Sequence, residues 1–141
     1  MNSTARKREK AFLKPTVRYR DKTRPISCPY GWVQRLITGG EGGVANVHVV
    51  SVTEGAAHFH KRYHEIYYVL EGRGSVCLAG RRKNVKPGAA VVVPAGVTHS
   101  IKANSGQKLT FVIFGVPPMA VDDSRAKPRK PERGRKPGRA K

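Results

Sequence analysis

Four residues, His58, His60, Glu65 and His99, have the types and the spacing of a metal site assembled from two separated stretches of strand. His58 and His60 are two apart, so on an extended chain they project from one face, with roughly 6.6 to 7 Å between their Cα positions. Both imidazoles then reach one ion. Glu65 opens a run of Glu, Ile, Tyr, Tyr, Val and Leu, whose β-branched and aromatic content predicts a neighbouring strand entered through a turn over residues 61–64. A carboxylate thus arrives beside the imidazoles. His99 follows the turn signal at Pro94 and Gly96, and the valines before that turn read as another strand. Three imidazoles and a carboxylate suit one divalent transition metal ion, whether iron, manganese, nickel, copper or zinc; geometry and availability select among these. On a six-coordinate ion, four protein ligands leave two positions for water, dioxygen or a bidentate substrate, which opens Lewis-acid or oxygen chemistry.

Other polar residues divide by strand parity. His64 has parity opposite to Glu65 and is expected to face out, while His48 has no partner at ligand spacing, so both are read as non-ligands. Tyr67 shares the face of Glu65 and is the candidate catalytic side chain, its hydroxyl turned to substrate; a packed core aromatic is the competing and slightly favoured reading. Gln34 and Arg35 are adjacent, so regular pairing turns at most one inward. Arg35 has the fork to hold an anionic substrate, although a solvent-facing arginine is the preferred expectation. Cys28, between Ser27 and Pro29, is expected in a loop, and Cys77 as a small packed side chain.

The elements that must position these residues are short strand-like runs between Gly and Pro punctuation, at 32–37, 44–52, 65–70, 75–79, 90–93, 98–102 and 109–114. No comparable stretch carries a 3.6-residue apolar stripe, which makes the chain all-β, with any helix confined to residues 6–13. The glycine-rich stretch 39–43 lacks the Gly-Lys-Ser/Thr ending of a phosphate loop and reads as a flexible hairpin connection. The stretch from Gly55 to Gly72, with His58, His60 and Glu65, resembles the first motif of the cupin family. The stretch from Gly88 to His99, with Pro94 and Gly96, resembles the second. Two turn positions depart: Val52 stands where the family has Gly, and Ala103 where it often has Asn. The resemblance implies a jelly-roll β-barrel or sandwich, and a homodimer as in many related small cupins. Such proteins include dioxygenases, sugar isomerases and epimerases, decarboxylases and proteins that only bind ligands, so fold alone does not choose an activity.

Composition supports one domain with basic extensions. Residues 1–24 carry nine basic against two acidic side chains, residues 25–121 ten against four, and residues 122–141 nine against three, within a net charge of +19. Residues 25–121, the expected cupin domain, hold nearly all the large apolar side chains, whereas residues 122–141 have no Leu, Ile or aromatic and cannot bury enough to fold, so the basic ends are expected to be disordered. Arg133-Gly134-Arg135 in that tail is similar to the core of an AT-hook, without its flanking prolines. Arg133 and Arg135 are therefore candidate nucleic-acid contacts, with generic polyanion affinity preferred over sequence-specific recognition. The two cysteines form no C-x-x-C pair, no apolar run is long enough to span a membrane, and residues 1–24 lack a secretory signal. A cytoplasmic protein follows as the expectation. No paired general acid and base is visible beyond the ligands. The leading expectation is a metal-dependent, dioxygenase- or isomerase-like enzyme acting on a small oxygenated molecule. The alternative is a non-catalytic ligand-binding or nucleic-acid-associated regulatory protein.

Overall fold

A computed structural model describes residues 15–39 and 44–118. The expected helix over 6–13, most of the glycine-rich loop, and the basic tail with Arg133 and Arg135 lie outside the described residues. Nine strands follow one 3-10 turn at Arg20–Lys22: β1 Ile26–Cys28, β2 Gly31–Ile37, β3 Asn46–Val52, β4 His64–Glu71, β5 Gly74–Leu78, β6 Arg81–Val85, β7 Ala90–Val93, β8 His99–Ala103 and β9 Leu109–Val116. They form a six-stranded sheet in the order β1-β2-β3-β9-β4-β7 and a three-stranded sheet in the order β6-β5-β8, with every pairing antiparallel. The chain is therefore all-β, as its alternation and turn punctuation require. Among the described residues no helix is long and apolar enough to cross a membrane.

Period-two alternation sets the faces. On β4, Glu65, Tyr67 and Val69 are buried while His64, Ile66 and Tyr68 are exposed. On β7, Val91 and Val93 are buried and Val92 is exposed. The inner residues join Val33, Val50, Val52, Val76, Ile101, Leu109 and Phe111 in one core between the two sheets, with Val69, Val93 and Leu109 most deeply enclosed. Removing this apolar surface from water is what holds the sheets together.

Two strands have no apolar signal in the sequence. Strand β6 has four exposed residues and buries only Val85, so no alternation marks it. It is held by the tight turn at Ala79 and Gly80, both at positive φ (47° and 80°), a pairing of signs that matches the twist of a two-residue hairpin. Strand β1 is three residues long and places Cys28 in a strand paired to Gly31, where the sequence led us to expect a loop. Cys28 packs partly buried against the core. The N-terminal segment docks on the outer side of β2, where the buried Gln34 amide donates to the carbonyls of Arg20 and Thr23, each at 2.7 Å.

Candidate metal centre

Backbone hydrogen bonds join the two motifs. His58 and His99 form an isolated antiparallel bridge, exchanging N–H to carbonyl bonds of 3.0 and 2.8 Å. The Gly96 N–H donates to the His60 carbonyl at 2.7 Å from a turn in which Gly96 has φ +82°, a conformation that favours glycine. His58 and His60 lie between named strands rather than within one, so the loop before β4 is aligned by β8 and its preceding turn. Glu65 is carried by β4, opposite Val93 on one side and Gly115 on the other.

One ring nitrogen from each of His58, His60 and His99 lies within 4.8 Å of the others. Two ligand atoms about 2.1 Å from one ion stand at most about 4.2 Å apart, so small ring rotations bring this cluster to coordination distance. Glu65 Oε2 is 3.6 Å from His60 Nε2 and 3.3 Å from His99 Nε2. The carboxylate thus lies against two of the three imidazoles, although it is outside the group whose ligand atoms all stand within 4.8 Å of one another. The carbonyl of Ala56 accepts from His58 Nδ1, and that of Val97 from His99 Nδ1, both at 2.9 Å. A carbonyl can only accept, so Nδ1 of each ring carries the proton and Nε2 of the neutral ring is left as the lone-pair donor. Such backbone carbonyls can serve as the outer partners that orient imidazoles for metal ligation. Nε2 of His60 and of His99 is buried without a hydrogen-bond partner, a costly arrangement that a shared cation would relieve.

The electrostatics agree with this donor set. Burial pushes the Glu65 carboxyl up, but contacts with His60, His99 and Tyr67 more than offset it and hold the group well below the usual carboxylate range. Burial lowers the pKa of His58, opposed by the Ala56 carbonyl and reinforced by His99 and His60, which favours the neutral ligand form. Burial, then the adjacent Glu65 charge, raises the Tyr67 phenol well above its ordinary value, keeping it a proton-bearing donor.

Tyr67 is buried, packs on Phe111 with 4.9 Å between ring centroids, and donates its hydroxyl to Glu65 Oε2 at 2.7 Å. The hydroxyl therefore meets the carboxylate. His64 is exposed, and its Nδ1 accepts from the Ala95 N–H at 3.0 Å. His48 lies on the inner face in register with Ile113, although it is outside the three-imidazole group. Arg35 pairs with His48 and shares the side of core Val33, so the expected solvent-facing arginine is instead turned inward; Gln34 is its outward neighbour, docked on the N-terminal segment. Tyr63, Asn46 and Gly115 also shape the site and were not anticipated. The Tyr63 ring meets His60 edge-on with 5.3 Å between centroids, and its hydroxyl accepts from Asn46 Nδ2 at 3.2 Å. A Cβ at Gly115 would overlap the Tyr63 phenol. A glycine inside the apolar run of β9 was the available sign of such close approach.

Comparison with known proteins finds relatives of this chain in sequence and in fold. Residues 46–115 match the Cupin domain. An uncharacterized protein of Methanocaldococcus jannaschii is 27% identical over 110 residues, covering 74% of this chain and 88% of the relative. A crystal structure of a protein from Planctomyces limnophilus aligns with TM-score 0.69 and 26% identity, over 79% of this chain and 95% of that one. The polyketide cyclase RemF from Streptomyces resistomycificus aligns with TM-score 0.63 and 26% identity, over 72% and 79%.

Proposed function

Since the chain belongs to the cupin family through residues 46–115, we propose that His58, His60, Glu65 and His99 hold one divalent transition metal ion and that this centre acts on a small oxygenated molecule. The observation that carries the proposal is the grouping of three imidazoles, two of which have a buried, unpartnered Nε2 close to the buried Glu65 carboxylate. A metal bound there supplies Lewis acidity and open coordination positions for a bidentate ligand or dioxygen. Ala56 and Val97 fix the ring tautomers of His58 and His99, and Tyr67 restrains Glu65. The similarity to a polyketide cyclase supports an oxygen-rich organic substrate, and a dioxygenase- or isomerase-like reaction needs few protein groups beyond the metal. The side chain of His60 keeps 21% of its surface exposed, against 3% for His99, so the cluster is more open to solvent on the His60 side than on the His99 side.

The test is elemental mass spectrometry of the purified full-length protein beside a His58→Ala, His60→Ala double variant. About one transition-metal equivalent per chain, lost in the variant, is expected. No metal in either protein after reconstitution with iron, manganese, nickel, copper and zinc would overturn the proposal. The reading includes a homodimer formed through the outer face of the large sheet, where register sets exposed Val92, Ile66 and Phe114 side by side, with Tyr68 in the next row. The basic composition of residues 122–141 favours a second reading independent of the metal, generic binding of nucleic acid by that tail.

A further inference from the structure

One row of the inner sheet face carries polar groups that the metal proposal does not use. Register aligns Arg35 with His48, His48 with Ile113, and Ile113 with Tyr67. Residues directly opposed in antiparallel strands share a face, and the buried Tyr67 identifies that face as the inner one. Arg35 is also two residues from core Val33, which gives the same answer along the strand. The β2–β3 pairing is irregular after Arg35, where a cationic side chain is aimed inward at the end of the regular ladder.

Among the described residues these groups lack protein partners of the kind they require. Among the described residues no carboxylate pairs with Arg35, whose residue is only partly exposed, and His48 Nε2 is buried without a hydrogen bond. Burial lowers the His48 pKa, Arg35 lowers it further and Glu65 opposes both, so the imidazole lies within the fields of the guanidinium and of the metal-site carboxylate. With strands about 4.8 Å apart, His48 stands about 10 Å along the sheet from Tyr67 and Arg35 about 14 Å, before the reach of the side chains is subtracted. A partly buried guanidinium without a counter-charge is a costly group, and a planar carboxylate is its natural bidentate complement.

We propose that Arg35 and His48 form an anion-recognition subsite on the wall beside the metal centre, and that its ligand is a small carboxylic acid. The carboxylate lies on the Arg35 guanidinium with His48 beside it, and the oxygenated end of the same molecule points to the imidazole cluster. Only this last contact rests on the metal proposal; the carboxylate contact does not.

The experiment titrates succinate, with neutral succinamide as its control, calorimetrically into the full-length chain at about 0.15 M salt, where exposed charges are screened. Metal-free and zinc-loaded protein are compared for wild type, Arg35→Gln, His48→Gln and, as a control for the charge of an exposed arginine, Arg81→Gln. Zinc content is measured on the same samples. Arg35→Gln is expected to weaken succinate at least tenfold in both forms with zinc content unchanged, His48→Gln to weaken it severalfold, Arg81→Gln to stay within twofold of wild type, and succinamide not to bind. Absence of succinate binding to wild type, or Arg35→Gln within twofold of wild type, overturns the subsite. A loss in Arg81→Gln equal to that in Arg35→Gln overturns it too, by exposing generic charge attraction. If Arg35→Gln fails to fold by circular dichroism, unchanged affinity in His48→Gln is the overturning result. Arg35-dependent binding in a protein that takes up no zinc supports the subsite and removes the metal reading, so the two failures are distinguishable.

Discussion

Tyr67→Phe is the most informative single change, because it deletes one oxygen and leaves the ring packed on Phe111. The lost hydroxyl donates to Glu65 Oε2 at 2.7 Å, with the Glu65 side chain only 7% exposed. A hydrogen bond to a charged group contributes about 1.5 to 3 kcal/mol, and burial at this level leaves little solvent to replace it. At about 1.4 kcal/mol per decade, the full effect felt at the metal is a loss of roughly ten- to a hundredfold in affinity. Without its phenol the carboxylate is free to turn from the geometry in which Oε2 faces His60 and His99. Zinc affinity is measured by competition with a chromophoric chelator, with circular dichroism to show that the variant is folded, and His99→Ala serves as the reference for loss of a ligand. Tyr67→Phe is expected to fall between wild type and His99→Ala. A folded variant that binds zinc as tightly as wild type, or more tightly, would refute the positioning role and show that the phenol competes with the metal for Glu65.

Four further outcomes follow from the same contacts. Gly115→Ala drives a methyl into the Tyr63 phenol, costing about 1 to 3 kcal/mol as overpacking, and lowers zinc affinity by displacing His60; an unchanged affinity would separate Tyr63 from the site. The pKa values of His48 and His58 are lowered from the ordinary 6.5, so as pH falls below 6.5 the unfolded chain takes up protons before the folded one and stability drops. The urea midpoint of metal-free protein should therefore decrease from pH 7.5 to 5, less steeply in His48→Gln, and a flat or rising midpoint would contradict burial of the neutral rings. Deleting residues 122–141 should weaken DNA or RNA binding at low salt while zinc content stays constant, measured by fluorescence anisotropy over a salt series; equal affinity before and after truncation would remove the tail from that role. Tyr68→Lys, on the exposed face of β4, should shift light-scattering mass from dimer to monomer, and a monomeric wild type would dismiss the interface.

Much of this site is legible in one dimension because both its devices are local. His-x-His spacing, the carboxylate at the head of an apolar run and the turn before His99 each depend on nearest neighbours along the chain. Alternation likewise shows that Glu65 and Tyr67 share a face. Strand β6 escapes because an exposed edge strand needs no apolar alternation, only a partner and a turn. Strand β1 and its Cys28 escape because three residues are too short a window to show a period.

Sequence alone thus determined the all-β character, the four candidate ligands, and the pairing of His58 with His60 and of Glu65 with Tyr67 on common sides. Tertiary structure decided which side of each strand is inside. Arg35 and Gln34 have opposite parity in any extended chain, but only the register of β2 on β3, with Val33 against Val50, turns Arg35 to the core side and leaves Gln34 to bind the N-terminal segment. The same holds for His48, which has no ligand spacing in the chain and becomes an inner residue through its alignment with Ile113. Parity is a property of one strand, whereas inside and outside are properties of the sheets that enclose it.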